Sequence, residues 1–217
     1  MKNEDKLTFV ISLGGSFLFS NFDGLAQLKK IVNSRRDKFV IIVGGGKLAR
    51  DYINFGKSIG ISDTTELHNI GIKSTQLNAY VISKYLNGNF FEGNPKNIKL
   101  DNGVRVLVSG GYKPGWTTDV GSAYAAISIG AKVLFNISKE RGVYDSDPKM
   151  NQRAKFIKKL NFRRLYELTN TERYPGMDYI FDPKAAKICE KNDIKVVVTK
   201  DVDDIINYPK ISGSIIE

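Results

Sequence analysis

Short apolar runs alternate along this chain with longer stretches whose apolar positions recur every three or four residues. The short runs, at 7–13, 38–43, 104–109, 132–137, 194–199 and 212–216, predict strands. The longer stretches, at 24–35, 47–59, 65–87, 118–129, 162–169 and 183–192, predict helices. Val104 to Val108 and Lys195 to Val198 are β-branched and short, as strands buried on both faces should be. This alternation predicts a mainly parallel sheet covered by helices on both faces. No repeat, low-complexity tract or flexible linker breaks the pattern, so residues 1–217 read as one domain, with a softer division near residue 110.

The strand-like runs end in glycine. Leu13-Gly14-Gly15-Ser16 closes the first and Gly44-Gly45-Gly46-Lys47 the second, about thirty residues later. Glycine lets the backbone approach a ligand closely, and a helix starting just beyond it offers free N–H groups to an anion. Two such loops at neighbouring strand ends predict a site holding more than one phosphate group. A third glycine cluster, Ser109-Gly110-Gly111-Tyr112-Lys113-Pro114-Gly115-Trp116-Thr117-Thr118-Asp119, follows a strand and opens a helix of small residues, with Thr117 or Thr118 as its cap. A fourth segment, Asn136 to Pro148, turns at Gly142 and at Asp147-Pro148, and by composition it also fits an ordinary hairpin. The fifth, Asp182-Pro183-Lys184-Ala185-Ala186-Lys187-Ile188, has the form of a helix start with Asp182 as cap and Pro183 at the first position.

Composition narrows the class. Of the 217 residues, 41% are hydrophobic and 26% charged, the balance of a globular domain. No apolar run approaches the ~20 residues of a membrane span. The first six residues are polar and mixed in sign, with no signal-peptide core after them, and the single Cys189 excludes an intrachain disulfide. A cytoplasmic protein is expected. The net charge of +10 raises nucleic acid as a partner. The densest basic stretch, Arg153 to Arg164, contains only Phe156 and Phe162 as aromatics, which reads as a solvated face or a wall of an anion site.

Taken together, Gly-Gly-Ser, Gly-Gly-Gly-Lys-Leu-Ala-Arg, Pro-Gly-Trp-Thr-Thr-Asp, Gly-Val-Tyr-Asp-Ser-Asp-Pro and Asp-Pro-Lys-Ala-Ala-Lys-Ile resemble the amino acid kinase superfamily, and within it the archaeal-type UMP kinases. The resemblance is colinear from Leu7 to Glu217. It implies a three-layer αβα sandwich around a mainly parallel eight-stranded sheet. It also implies a homohexamer, with Mg²⁺-ATP as donor and UMP as acceptor, acting in pyrimidine nucleotide synthesis. By position, Gly15, Ser16, Gly46, Arg50, Ser138, Tyr144 and Asp147 resemble ATP contacts. Gly45, His68 and the loop Tyr112, Lys113, Pro114, Gly115, Trp116, Thr117 and Thr118 resemble UMP contacts. Asp119 matches an acid that orients cations in many members, and it stands with Lys47 and Arg50 as a candidate for the catalytic step.

The chain departs from the pattern at named places. His68 stands where an Asp is usual, Arg141 where a second Asp is usual, and Trp116 where a polar residue is usual. Many members carry a Lys just before the first glycine pair. This chain has Ser12-Leu13 there, leaving Lys47 as the candidate for the missing charge. The expected reaction is ATP + UMP to ADP + UDP. The alternatives are a kinase for another phosphate acceptor such as isopentenyl phosphate, and a non-catalytic nucleotide-binding protein on the same fold. Membranes and nucleic acids are not expected partners.

Overall fold

Thr8–Leu13 forms β1, a strand buried from Phe9 onward on both faces. The computed structural model describes residues 7–101, 103–148, 150–169 and 180–217; the polar residues 1–6 lie outside it. After β1 come α1 (Gly15–Leu18), α2 (Phe22–Ser34), β2 (Lys38–Val43), α3 (Gly46–Ser58) and α4 (Thr64–Tyr85). β3 (Asn89–Phe91), a 3-10 turn at Pro95–Asn97, β4 (Val106–Ser109), α5 (Thr118–Ser128) and β5 (Val133–Ile137) follow. The remainder is β6 (Val143–Tyr144), β7 (Phe156–Ile157), β8 (Lys159–Leu160), α6 (Phe162–Thr169), α7 (Pro183–Lys191), β9 (Lys195–Thr199), α8 (Asp204–Asn207) and β10 (Ser214–Ile216).

Eight strands make one sheet in the order β3-β4-β2-β1-β5-β9-β10-β8, while β6 and β7 form a separate antiparallel pair. Every neighbour in the large sheet is parallel except β9 and β10. Register decides where the site lies. Leu13 pairs with Val43 on one side and Ile137 on the other, and Ile42 pairs with Ser109. Four strands therefore end in step, and the loops that begin at residues 14, 44, 110 and 138 meet along one edge, where ligands bind in open parallel sheets.

Alternation along the strands fills two cores. Val10, Val40, Ile42, Leu134, Val196 and Val198 pack with Val120, Ala123 and Ala126 of α5 and Ala185, Ala186 and Cys189 of α7. Phe9, Ile11, Leu13, Phe39, Ile41, Phe135 and Val197 pack with Leu28, Ile31 and Val32 of α2 and Ala79 and Ile82 of α4. Helix, sheet and helix make three layers, as expected from the apolar runs. The six predicted strands and six predicted helices are all present, with ends shifted by at most two residues. The periodic pattern does not contain β3, β6, β7, β8, α1 or α8, because elements of two to four residues are shorter than any periodicity can register. No helix among the described residues is long and apolar enough to cross a membrane.

The basic stretch is partly neutralised in the fold. Lys159 pairs with Glu217, and Arg163 and Arg164 both pair with Glu167.

Candidate active site

The two glycine loops lie back to back. A Cβ placed on Gly15 would fall 2.1 Å from the backbone nitrogen of Gly46, and Gly46 holds a φ of +57°, so both positions need glycine. The Gly14 N–H donates to the carbonyl of Ile137 at 2.8 Å and the Gly44 N–H to that of Leu13 at 2.9 Å, which ties each loop to the end of the neighbouring strand. α1 and α3 start from these loops without a side-chain cap, so their first N–H groups remain available. From α4, the buried Asn78 donates its amide to the carbonyls of Gly44 at 2.9 Å and Gly45 at 3.2 Å. One turn earlier, Thr75 Oγ1 accepts the Gly111 N–H at 2.6 Å. One helix thus sets the positions of the second and third glycine loops.

These loops open on a cavity of about 590 Å³, within the range of a small-molecule site. Its floor is a polar network. Asp119, in the first turn of α5, accepts from Ser12 Oγ at 2.8 Å, from Asn136 Nδ2 at 3.2 Å and from the Asp182 N–H at 3.2 Å. Burial pushes the Asp119 carboxyl up to about 6; the bonds from Ser12 and Asp182 oppose the rise, and the charge of Asp182 adds to it. Asp182 in turn caps α7 through Lys184 and Ala185 and accepts from Thr117 Oγ1 at 2.7 Å. The cavity wall includes the cations Arg50 and Lys139.

Residues 7–200 match the amino acid kinase family. The chain belongs to that family. It is 32% identical over 225 residues to the uridylate kinase of Sulfurisphaera tokodaii, covering 97% of this chain and 99% of the relative. It is 35% identical over 199 residues to the uridylate kinase of Archaeoglobus fulgidus, covering 87% of this chain and 89% of the relative. Among solved structures, that of uridylate kinase from Archaeoglobus fulgidus superposes with a TM-score of 0.78 at 31% identity, over 98% of this chain and all of the other. A mainly parallel central sheet flanked by helices is the amino acid kinase fold.

Within this amino acid kinase fold, the predicted site residues divide. Gly15, Ser16, Gly45, Gly46, Arg50, Thr117, Thr118, Asp119, Ser138, Tyr144 and Asp147 all line the one cavity. Tyr144 reaches it from the β6–β7 pair, its ring edge-on to Phe156 at 5.6 Å, so the segment is both a hairpin and a wall of the site. Seven predicted residues do not line the cavity: Lys47, His68, Tyr112, Lys113, Pro114, Gly115 and Trp116. Lys47 is 78% exposed, and its ammonium pairs with Asp51 one turn along α3 at 2.5 Å. His68 is exposed near the start of α4. Residues 112–116 stand beside the cavity, on the run into α5. Arg141 lies over the Phe156 ring, in a separate open cleft with Lys200.

The sequence pattern misses Ser12, Asn136, Lys139 and the cavity role of Asp182. Ser12 and Asn136 sit inside apolar strands, at the positions whose side chains turn toward the α5 layer. A lone polar residue within a buried strand is the one signal that marked them, since a buried polar group needs a partner. Asp182 reads as a cap, and it is one; only the packing of α7 against α5 turns its other oxygen to Thr117.

Proposed function

We propose that this protein is a uridylate kinase that transfers the γ-phosphoryl group of ATP to UMP, giving ADP and UDP. The observation carrying this reading is the pair of glycine loops packed against each other at the ends of β1 and β2, facing one cavity with Arg50. Relatives named uridylate kinase, aligned over nearly the whole chain, support the choice of acceptor.

Phosphoryl transfer asks for in-line positioning and positive charge rather than covalent help. The acceptor phosphate is already an anionic nucleophile. N–H groups at Gly15, Ser16 and Gly46 and the Arg50 guanidinium hold the ATP phosphates. Ser138, Tyr144 and Asp147 line the nucleoside end. Gly45, Thr117 and Thr118 face the acceptor, which the loop from Tyr112 closes over. Asp119 holds the floor, with Ser12 taking the place of a lysine. Asp119 and Asp182 on the cavity wall would hold a magnesium ion bound with ATP, a hard cation that takes one or two carboxylates and would supply charge screening for the phosphates. The protein works in the cytoplasm as a homohexamer.

The test incubates the protein and Mg²⁺-ATP with UMP, CMP, dUMP, AMP or isopentenyl phosphate and follows ADP release. UMP is expected to give the fastest turnover. ADP release with isopentenyl phosphate and none with UMP would overturn the assignment.

A further inference from the structure

The chain's one tryptophan lies in the loop assigned above to the acceptor, where an aromatic ring invites comparison with a base-stacking platform. Its surroundings point elsewhere. The Trp116 ring stacks on Tyr124 of α5, with centroids 4.6 Å apart and planes 24° from parallel. Lys113 Nζ stands 4.6 Å from the same ring centre, and Tyr112 lies tilted at 6.1 Å. Lys96, from the 3-10 turn, sits 4.2 Å from the Tyr124 centre and 5.6 Å from that of Trp116. Both rings are half-buried and pack on the core beneath α5. Trp116 does not line the cavity, whereas the next two residues do.

The backbone around the ring is fixed as well. Lys113-Pro114-Gly115-Trp116 closes a turn through the Trp116 N–H and the Lys113 carbonyl at 3.2 Å, with Gly115 at φ +76°. Proline second and a positive-φ glycine third are the residues a type II turn requires. The far end of α5 is tied to the 3-10 turn, because Ser128 Oγ lies 3.0 Å from the Lys96 carbonyl and 2.7 Å from that of Ile98. Tyr124 and Lys96 thus belong to a seat anchored at both ends of α5.

We infer that Trp116 is a positioning residue: its stack with Tyr124 and Lys96 clamps the loop so that Thr117 and Thr118 are presented to the acceptor, and its faces are not offered to the base. Thr117 carries the consequence. Its hydroxyl is shared between the cap of α5, through the Val120 N–H, and Asp182. Loosening the residue before it disturbs both the helix start and the cavity floor.

This inference rests on the uridylate kinase reading, so the experiment has one arm that depends on UMP and one that does not. Steady-state constants are measured for the wild type and for Trp116→Ala, Tyr124→Ala, Tyr124→Phe, Lys96→Met and the double variant Trp116→Ala/Tyr124→Ala. Trp116→Ala and Tyr124→Ala are each expected to raise the KM for UMP about three- to ten-fold, the worth of one aromatic pair, with the KM for ATP unchanged. Lys96→Met is expected to raise it in the same direction by less. The double variant is expected to be no worse than the worse single one, since both act through one stack. Tyr124→Phe, which keeps the ring, is expected to match the wild type and shows that the site tolerates substitution. A raised KM for UMP in Trp116→Ala with none in Tyr124→Ala would overturn the inference, because Trp116 would then touch the acceptor itself. If the wild type does not turn over UMP, the functional reading fails and acrylamide quenching of the single tryptophan decides the clamp. Tyr124→Ala should then raise the quenching constant above that of both the wild type and Tyr124→Phe. An unchanged constant would remove the clamp.

Discussion

Asp119 shows how much one position depends on what surrounds it. Its carboxyl is pushed from 3.8 up to about 6 by burial, so the folded protein holds that proton more tightly than the unfolded chain does. Between about pH 4 and pH 6 the unfolded chain binds fewer protons, and stability therefore falls as pH rises through this window and stays lower above it. The loss is expected to be roughly 3 kcal/mol at most. Urea unfolding at several pH values reads it directly; Asp119→Asn should flatten the slope, and a slope that survives the substitution would assign it to another group. Arg50 makes the complementary case. It lines the cavity from α3 while remaining exposed, as a cation waiting on an anionic ligand would. Arg50→Ala is expected to cut kcat by ~10² or more while leaving the melting temperature unchanged. Unchanged turnover in the folded variant would make Arg50 an ordinary surface residue.

At the scale of elements, α4 acts as the ruler of the site. The turn containing Thr75 and Asn78 bonds the glycine loops after β2 and β4, so the spacing of those two loops is copied from the helix. Asn78→Ala would leave the carbonyls of Gly44 and Gly45 without their buried donor, at a cost of about 1–3 kcal/mol. The expected result is lower stability by that amount together with a several-fold lower kcat/KM for both substrates, since the second loop is proposed to serve both. Chemical denaturation and steady-state kinetics check it; a stability loss with intact kinetics would confine Asn78 to a structural role. The helical period of residues 65–87 is plain in the sequence. That its inward face carries a threonine and an asparagine aimed at loop backbone is not, because the pattern marks polar residues on a helix as solvent-facing until a partner is known.

Over the whole molecule, α3 leaves an apolar stripe outside. Tyr52, Phe55 and Ile59 are 53%, 58% and 60% exposed, while Gly56 is the one fully buried residue of that helix. Each of these three is already nearly half covered, so covering the rest would contribute roughly 1–1.5 kcal/mol per side chain. In the proposed homohexamer this stripe is expected to lie at a subunit contact. Light scattering on the purified protein is expected to give a hexamer, and Phe55→Glu a smaller species with its fold intact. A monomeric wild type would leave the stripe without that explanation.

The sequence by itself determined the layers and the edge where the glycine loops gather. Short apolar runs and period-3.6 hydrophobicity are local properties, and they predicted six strands and six helices in an order that leads to a parallel sheet. Glycines at strand ends are local too, and Gly15 and Gly46 marked the place where two loops press together. Tertiary structure alone decided which side chains share the cavity. Ser12 and Asn136 become partners of Asp119 only through the pairing of β1 with β5 and the docking of α5 above them. Lys47 pairs with Asp51, one turn further along α3. Trp116, similar by position to an acceptor contact, is taken up by a stack with Tyr124 and Lys96, groups on two other elements. Side-chain partners at long sequence separation depend on register and packing, and a one-dimensional pattern contains neither.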